Sequence, residues 1–197
     1  MNTRLPAGER REQIIAVAVP VFARSGYHGA SMNDVADAAG VTKPVLYQHF
    51  ASKKDLYLAL IHEAGQRMIA AIGKATAGTT DGRAQTELGF RAYFRWVADD
   101  HDGFLLLFST QANRDAAATK AIRAITSDAA SAIAPLIAIE IDHEQRRTLA
   151  HGLVGLAEGA SRRLVERGDD FDPDALARLV ANLAWAGLRA IGPDPAR

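Results

Sequence analysis

The chain has 197 residues, no cysteine, and 23 basic against 23 acidic side chains, which gives a formal net charge of zero. The lack of cysteine excludes disulfide frameworks, thiolate metal sites and cysteine nucleophiles, and it fits a reducing compartment. No apolar run approaches the about 20 residues that cross a bilayer, and the polar start lacks the apolar segment of a signal peptide, so we expect a soluble cytoplasmic protein.

Residues 9–25 carry apolar side chains at helical spacing and predict a first helix. Pro20 lies inside this segment. Because proline removes one helical hydrogen bond and crowds the preceding turn, we expect a bend near residues 16–20. Gly26 stands where a C-cap glycine would, and the sequence therefore predicts that the helix ends there.

Two short helices follow the first. Ser31 and Asp34 have the spacing of a capping box, which predicts a second helix over residues 31–39. A third helix is expected directly after Thr42, a residue type that caps helix N-termini. Pro44 is compatible with this assignment because proline is tolerated in the first turn of a helix.

The rest of the chain also has the helical period, and no alternating run predicts a strand. Ser52 is expected to cap a long fourth helix, residues 52–77, which spans about 39 Å at 1.5 Å per residue. A loop rich in Gly and Thr covers residues 73–85. Five more helices are predicted near residues 84–101, 103–113, 115–139, 142–167 and 173–191. The sequence therefore predicts an all-α fold.

The third helix, in the stretch VTKPVLYQHF at residues 41–50, has an unusual outer face. With its apolar anchors Val41, Leu46 and Phe50 turned inward, the opposite side carries Pro44, Val45, Tyr47 and Gln48, flanked by Lys43 and His49. Two short helices joined by a tight turn, the second bearing such a face, are typical of a helix-turn-helix. The hydroxyl, ammonium and imidazole groups here can donate to phosphate oxygens. Gln48 can pair with an adenine edge, and Val45 can contact a thymine methyl group. The alternative is an ordinary helix hairpin with a solvated face.

Residues 10–60 resemble the DNA-binding domain of TetR-family transcriptional regulators. Their run GVTKPVLYQHFASKKDL is close to that family's pattern G-V-x-x-x-x-L-Y-x-H-F-x-x-K-x-x-L. The resemblance covers about a quarter of the chain, and residues 61–197 resemble the family only in their helical layout. It implies a helix-turn-helix DNA-binding domain over 1–51 and a helical ligand-binding and dimerisation domain over 52–197, with the long helix joining them.

The resemblance also implies which residues contact operator DNA. Positions that match Tyr47, His49 and Lys53 hold the DNA backbone in the family, and those of Ser31 and Asn33 touch a phosphate or a base edge. The full set of implied DNA contacts is Ser31, Asn33, Thr42, Lys43, Pro44, Val45, Tyr47, Gln48, His49 and Lys53. Pro20 departs from the family's regular first helix. The arginines at positions 4, 10 and 11 form either a basic arm or a solvated tail.

Small residues recur in the eighth predicted helix, in GLVGLAEGA. Gly152, Gly155 and Gly159 are spaced so that another helix can approach closely, and no preceding strand supports a nucleotide-binding loop. In the family this helix pairs with the last helix to form a homodimer. The expected interface also includes Leu183, Trp185 and Leu188. The alternative is packing within one chain.

The middle helices are rich in aromatic residues, and the resemblance implies a ligand cavity among them, although plain core is the alternative for each residue. The candidates are Tyr93, Trp96, Phe104, Phe108, Gln111, Arg123, Glu158 and Arg162. Few of these side chains are charged, so we expect an apolar or amphipathic effector such as a fatty-acyl or aromatic molecule.

No motif in the chain favours an enzyme, a cofactor or a metal site. The single E-x-x-H, from Glu140 to His143, lacks the second copy that a di-iron bundle needs. The sequence is therefore interpreted as that of a homodimeric, ligand-responsive transcriptional regulator, a repressor that binds operator DNA. Two alternatives stay open: an all-α small-molecule binding protein or enzyme with a vestigial helix-turn-helix, and a constitutive DNA-binding protein with no effector.

Overall fold

The structure is a computed structural model that describes residues 6–109, 115–167 and 171–191, without the side chains of residues 164–167. Every long element within these ranges is an α-helix, which confirms the all-α prediction. The helices are α1 Ala7–Gly29, α2 Met32–Ala39, α3 Lys43–His49, α4 Lys53–Thr76, α5 Gly82–Asp99, α6 His101–Phe108, α7 Ala116–Ile133, α8 His143–Arg167 and α9 Pro173–Leu188.

The break in α1 is at a glycine and not at the proline. Gly26 has φ 65° and ψ 174°, whereas the other backbone angles inside the helix, including those around Pro20, are helical. Only a residue without a Cβ adopts this positive φ at low cost. One helical turn follows the break before the Ala30 N–H donates to the Gly26 carbonyl at 3.1 Å. The predicted end at Gly26 is therefore a sharp change of direction within α1.

Two of the predicted helices differ in length from those in the structure. α7 ends at Ile133 and continues as one 3-10 turn, Ala134–Leu136, in which Pro135 cannot donate a helical hydrogen bond. The predicted helix over 115–139 is therefore too long. α6 ends at Phe108. Most of the rest of its predicted range, up to residue 113, lies outside the described residues.

The contacts divide the chain into two compact units. The first comprises the chain up to Gly65 together with Asp102–Ile122, and the second comprises Gln66–His101 and the chain from Arg123 onward. This division does not coincide with the boundary predicted after residue 51, because the first half of α4 packs within the first unit. There the Tyr57 ring stacks on Phe22 with 5.2 Å between ring centres.

The core of the first unit fixes the helices that carry the helix-turn-helix. Ile14 of α1, Val35 of α2 and Leu46 of α3 are fully buried, as are Leu56 and Leu60 of α4. Burial of each such side chain stabilises the fold by about 1.5–3 kcal/mol. Burial also raises the pKa of Tyr57 to about 12, so its hydroxyl stays protonated. The orientation of α3 is thus set by apolar packing on its inner side.

The second unit is held by packing between α5 and α9 and by ion pairs between them. Arg95 donates to both carboxylate oxygens of Asp174 at 2.9 and 2.7 Å, and Arg91 lies 3.6 Å from the same carboxylate. The side chain of Asp172 caps α9 by accepting from the N–H groups of Asp174 and Ala175. These contacts fix the start of α9 against α5.

Candidate DNA-binding face and ligand site

The helix-turn-helix begins at a complete capping box. The Ser31 N–H and hydroxyl both donate to Asp34 Oδ2, at 2.9 and 2.8 Å, and the Asp34 N–H donates to Ser31 Oγ at 3.2 Å. This confirms the capping-box prediction. Asn33 points outward from the first turn of α2 as an exposed side chain, while Met32 beside it is buried. The start of α2 is therefore rigid, with one amide available to a partner.

The turn between α2 and α3 requires a glycine. Gly40 has φ 63° and ψ 33°, in the left-handed region, and its N–H donates to the Asp37 carbonyl at 3.1 Å. The Val41 N–H donates to the Ala36 carbonyl at 3.0 Å. Thr42 then takes the N-cap position of α3, but its hydroxyl makes no capping hydrogen bond. The predicted position of Thr42 is confirmed, and its side chain is exposed.

The outer face of α3 is exposed as its helical spacing predicts. Leu46 and Phe50 are buried, whereas Tyr47 is 43% exposed and Gln48 lies beside it on the surface. Val45 and His49 are half-buried at the edges of this face, and Lys43 and Pro44 are exposed in the first turn. Val41, expected as a third anchor, is only half-buried. The seven residues of α3 thus present hydroxyl, amide, imidazole and ammonium groups on one surface.

Lys53 is held in place by the end of α1. Its Nζ lies 4.9 Å from the centre of the Tyr27 ring and donates to the His28 carbonyl at 3.4 Å. Behind it, the Asp55 N–H donates to Ser52 Oγ at 3.0 Å and Asp55 Oδ2 accepts from the Ala51 N–H, so Ser52 caps α4 as predicted. A cation over an aromatic ring keeps its charge while losing some of its freedom.

The arginines at the start of α1 differ in their contacts. Arg11 lies over the Phe50 ring at 5.0 Å from its centre, and Arg10 donates to Gln13 Oε1. Both therefore belong to folded helix and not to a solvated tail. The third arginine, Arg4, lies outside the described residues.

The ligand candidates are distributed over both units. Phe104 and Phe108 are buried in the first unit, where their rings lie 5.2 Å apart, and Arg123 is an exposed residue of the second unit. Gln111 lies outside the described residues. The four other candidates, Tyr93, Trp96, Glu158 and Arg162, all belong to the second unit.

These four residues form a polar cluster between α5 and α8 together with Ser161, which we call the α5–α8 cluster. Tyr93 is 5% exposed and Ser161 is fully buried. The pKa of Tyr93 lies far above its ordinary value, chiefly because burial raises it. The Ser161 hydroxyl and Arg162 lower this pKa, and Glu158 raises it. Glu158 and Arg162 form an i,i+4 ion pair. Sequence reasoning missed Ser161, because a serine inside a helix has no fixed role.

The second unit also contains an open apolar cleft of about 320 Å³. It lies where the end of α4 meets the end of α7, and most of its lining is aliphatic. The lining residues are Ile69, Ile72, Gly73, Thr76, Ala77, Thr79, Gln85, Ala129, Ala132, Ile133 and Leu136. None of the predicted ligand residues is among them. Sequence reasoning missed this cleft because its residues are ordinary helix and core types.

The predicted dimer residues separate into an exposed and a buried group. Gly152, Gly155 and Gly159 are exposed, with nothing within 4 Å of the place that a Cβ would take. Leu183 is 64% exposed and Leu179, one turn earlier, is 69% exposed. These side chains give α8 and α9 a surface of glycine and leucine, which we call the α8–α9 face.

The other two predicted dimer residues pack inside their own chain. Leu188 is buried in a core cluster with Ala130, Ala134, Ile137 and Ala150. Trp185 is half-buried, and its ring lies 3.5 Å from the place that a Cβ on Gly82 would take. Because α5 begins at that glycine, the indole ring packs against the first turn of α5. Neither residue is therefore an exposed anchor, in contrast to the prediction.

The described ranges contain neither a group of metal ligands nor a helix that could span a membrane. Over residues 6–109, 115–167 and 171–191, no three His, Asp or Glu side chains are grouped as metal ligands would be. None of the described helices is both long and apolar enough to cross a bilayer.

The sequence matches two family models in succession. Residues 14–60 match the model of bacterial regulatory proteins of the tetR family, and residues 83–187 match a tetracycline-repressor-like C-terminal domain. The first match includes all of α2 and α3. The second covers more than half of the chain and includes the α5–α8 cluster and the α8–α9 face.

Individual proteins show the same relationship over nearly the full chain. The transcriptional activator FasR of Mycolicibacterium smegmatis is 33% identical over 189 residues, which are 95% of this chain and 86% of that protein. A TetR-like regulator from Rhodococcus sp. RHA1 is 28% identical, with a TM-score of 0.77 over 95% of this chain and 100% of the other. A Bacillus subtilis FadR solved with stearoyl-CoA shares the fold at 20% identity, with a TM-score of 0.79 over 89% of this chain and 98% of the other. The chain therefore belongs to the TetR family of DNA-binding transcriptional regulators.

Proposed function

We propose that the protein is a homodimeric regulator that binds operator DNA through α3 and is released from it by a small apolar or amphipathic effector. The observation that carries the DNA-binding part is the α3 face. Tyr47 and Gln48 are exposed there although Leu46 and Phe50 on the same short helix are buried. An aromatic ring and an amide on one outer surface suit the major groove, where hydroxyls hold phosphates and amides read base edges.

Each predicted DNA contact has a physical role in this proposal. Tyr47, His49, Thr42 and Lys43 hold phosphate oxygens, and Lys53 does so from the start of α4. Gln48 pairs with an adenine edge and Val45 touches a thymine methyl group, so these two carry sequence preference. Ser31, Asn33 and Pro44 complete the surface, with Asn33 as the exposed donor of α2.

Dimerisation is supported by the α8–α9 face. Two leucines of α9 are about two-thirds exposed, and three exposed glycines of α8 leave room for a close helix contact. A second copy of the chain would bury this surface by a twofold contact, and a twofold dimer reads a palindrome. Leu183 and Gly155 take part in this interface, whereas Leu188 stabilises each chain from inside.

The effector is proposed to be an acyl compound bound in the second unit. The aromatic surroundings of the α5–α8 cluster and the aliphatic cleft both favour an apolar ligand with few polar atoms. The shared fold with a FadR solved with stearoyl-CoA supports the same class. Repression is the sign of regulation that the sequence resemblance implies.

Activation is the second candidate, and the full-length similarity to the activator FasR favours it. Sites selected from randomised DNA would first give the operator. Transcription in vitro from a promoter that carries this operator would then separate the signs, because a repressor lowers transcript yield and an activator raises it. If no DNA sequence is enriched over random DNA, the proposed function is wrong.

A further inference from the structure

The α5–α8 cluster contains two buried hydrogen-bond donors that the protein itself does not satisfy. Among the described residues, neither the Tyr93 hydroxyl nor the Trp96 indole N–H has a partner with hydrogen-bond geometry. The Ser161 hydroxyl is near enough to lower the pKa of Tyr93, but its own proton is donated to the Ala157 carbonyl. Both side chains are more than nine-tenths buried. Buried polar groups of native proteins are nearly always paired, so two unpaired ones close together require a physical reason.

The two donors lie on the same side of α5. Tyr93 and Trp96 are three residues apart, about one helical turn, and their ring centres are 6.1 Å apart. Phe94 contacts Tyr93 edge to face at 5.3 Å, so the surroundings are aromatic. An apolar environment with two unpaired donors one helical turn apart has the composition of a ligand site that orients one polar atom.

The rest of the cluster limits the charge of that polar atom. Arg162 is already paired with Glu158 one turn earlier on α8, so the cluster has no net positive charge. The Ser161 hydroxyl is also engaged, because it donates to the Ala157 carbonyl at 3.0 Å. A carboxylate would meet the Glu158 carboxylate without a free cation to offset it. An uncharged oxygen acceptor needs only the two free donors.

We propose that the Tyr93 hydroxyl and the Trp96 indole N–H bind the uncharged carbonyl oxygen of an acyl ester, thioester or amide effector. This inference rests on the proposed function, because it assigns the polar end of the effector to two named donors. Recognition of a carbonyl, and not of a carboxylate, makes the protein sense an esterified or activated acyl group over the free acid.

Three probes that share a ten-carbon chain test this on the full-length protein by calorimetry: methyl decanoate, decanoate and 1-chlorodecane. Methyl decanoate carries an uncharged hydrogen-bond acceptor, decanoate carries a charged one, and 1-chlorodecane carries almost none. We expect methyl decanoate to bind about five- to tenfold more tightly than 1-chlorodecane, and more tightly than decanoate. Absence of binding by all three probes, or tighter binding of decanoate, would overturn the proposal.

The variants Tyr93→Phe and Trp96→Phe each remove one donor. Either change should lower the affinity ratio of ester to chloride toward one, because one of the two donors remains, while the affinity for 1-chlorodecane stays the same. Tyr57→Phe, which removes a tyrosine hydroxyl from the core of the first unit, is the matched control and should keep the wild-type ratio. Equal losses for ester and chloride would mean that these residues only shape the site.

The stability of the free protein distinguishes a ligand donor from a structural one. Replacing an unpaired buried hydroxyl by hydrogen is neutral or stabilising, so Tyr93→Phe should keep or raise the melting temperature without ligand. A lowered melting temperature would show that the hydroxyl has a structural partner, such as a buried water, and would contradict the proposal.

DNA affinity of the same samples is a separate readout. A probe that binds with the ester preference but leaves DNA affinity unchanged contradicts the proposed release by ligand and leaves the subsite intact. Ester and chloride that release DNA equally well support ligand-controlled DNA binding and overturn the subsite.

Discussion

The Lys53 ammonium lies 4.9 Å from the centre of the Tyr27 ring, across the small gap between the end of α1 and the start of α4. It also donates to the His28 carbonyl, so the chain after Gly26 helps to place it. A lysine held in this way loses less freedom on binding a phosphate than one in open solvent.

Lys53→Ala should therefore weaken DNA binding by a similar factor on all sequences. Loss of one phosphate contact should reduce the slope of log K against log salt by about 0.9. Fluorescence anisotropy at several salt concentrations measures this. Lys74→Ala, at the other end of α4, is the control and should keep the wild-type slope. An unchanged slope for Lys53→Ala would show that Lys53 does not contact the backbone.

Gln48→Ala and Val45→Ala should change sequence preference instead. A lost base contact costs about 1–3 kcal/mol at one position of the site. Selection from randomised DNA should show a relaxed preference at one base pair for each variant. Lys43→Ala, which removes a proposed phosphate contact from the same helix, should leave the selected sequence unchanged. Equal losses of Gln48→Ala on selected and random DNA would refute its assignment.

The α3 face was predictable because helix period and local motif determine it. Ten consecutive residues determine both the burial of Leu46 and Phe50 and the outward position of Gln48. The capping residues Ser31 and Ser52 were predictable for the same reason, since a cap is recognised from three or four neighbouring positions.

Features that depend on residues far apart in the chain were not predictable. Ser161 is placed beside Tyr93 only by the packing of α8 on α5. Trp185 packs against Gly82 of its own chain, so a residue that was predicted as a surface anchor is half-buried. Leu183 and Leu188 lie about 140° apart around α9, and only Leu183 faces solvent. A pattern within one helix shows which residues share a side but not what covers that side.

Gly155→Leu should convert the dimer to a monomer. A leucine side chain at this position meets open space within its own chain, so each chain should fold normally, but the bulk blocks close approach of a second α8. Analytical ultracentrifugation gives the mass, and circular dichroism confirms the fold. Gly8→Leu in α1, also surrounded by open space, is the control. An intact Gly155→Leu dimer would place the interface elsewhere.

The ion pair between Arg95 and Asp174 should make stability depend on acid. The Arg95 hydrogen bond lowers the pKa of Asp174 below its ordinary value, and this effect exceeds the opposing effect of partial burial. The ionised carboxylate therefore stabilises the fold above the ordinary pKa of about 3.9, and this contribution is lost as pH falls through the lowered folded-state pKa.

Asp174→Asn should reduce the free energy of unfolding at pH 7 and differ less from wild type as acid protonates Asp174. Urea unfolding at pH 7 and at a series of lower pH values measures the difference. Arg95→Gln and the double variant complete a cycle, in which a coupling near zero at pH 7 would show that the pair adds nothing to stability. Raised salt should shrink the coupling, because both groups are partly exposed.

Ligand and DNA should weaken each other's binding by the same factor. Helix α4 contributes residues to both units, Lys53 to the first and Thr76 to the second, so one continuous helix belongs to both. Typical coupling is about 1–3 kcal/mol, or about 5–150-fold in affinity. Titration of methyl decanoate by calorimetry with and without the selected operator measures it. Identical affinities in the two titrations would exclude this coupling.

The two exposed leucines of α9 also set how the regulator responds to its own abundance. Leu179 and Leu183 lie in solvent on a single chain, and a partner chain is proposed to cover them. When the amount of chain is below the dimer dissociation constant, the concentration of dimer grows with the square of the amount of chain. While the operator is mostly free, a twofold change in synthesis would then change promoter occupancy by nearly fourfold, so a small apolar surface on α9 would make gene control steep.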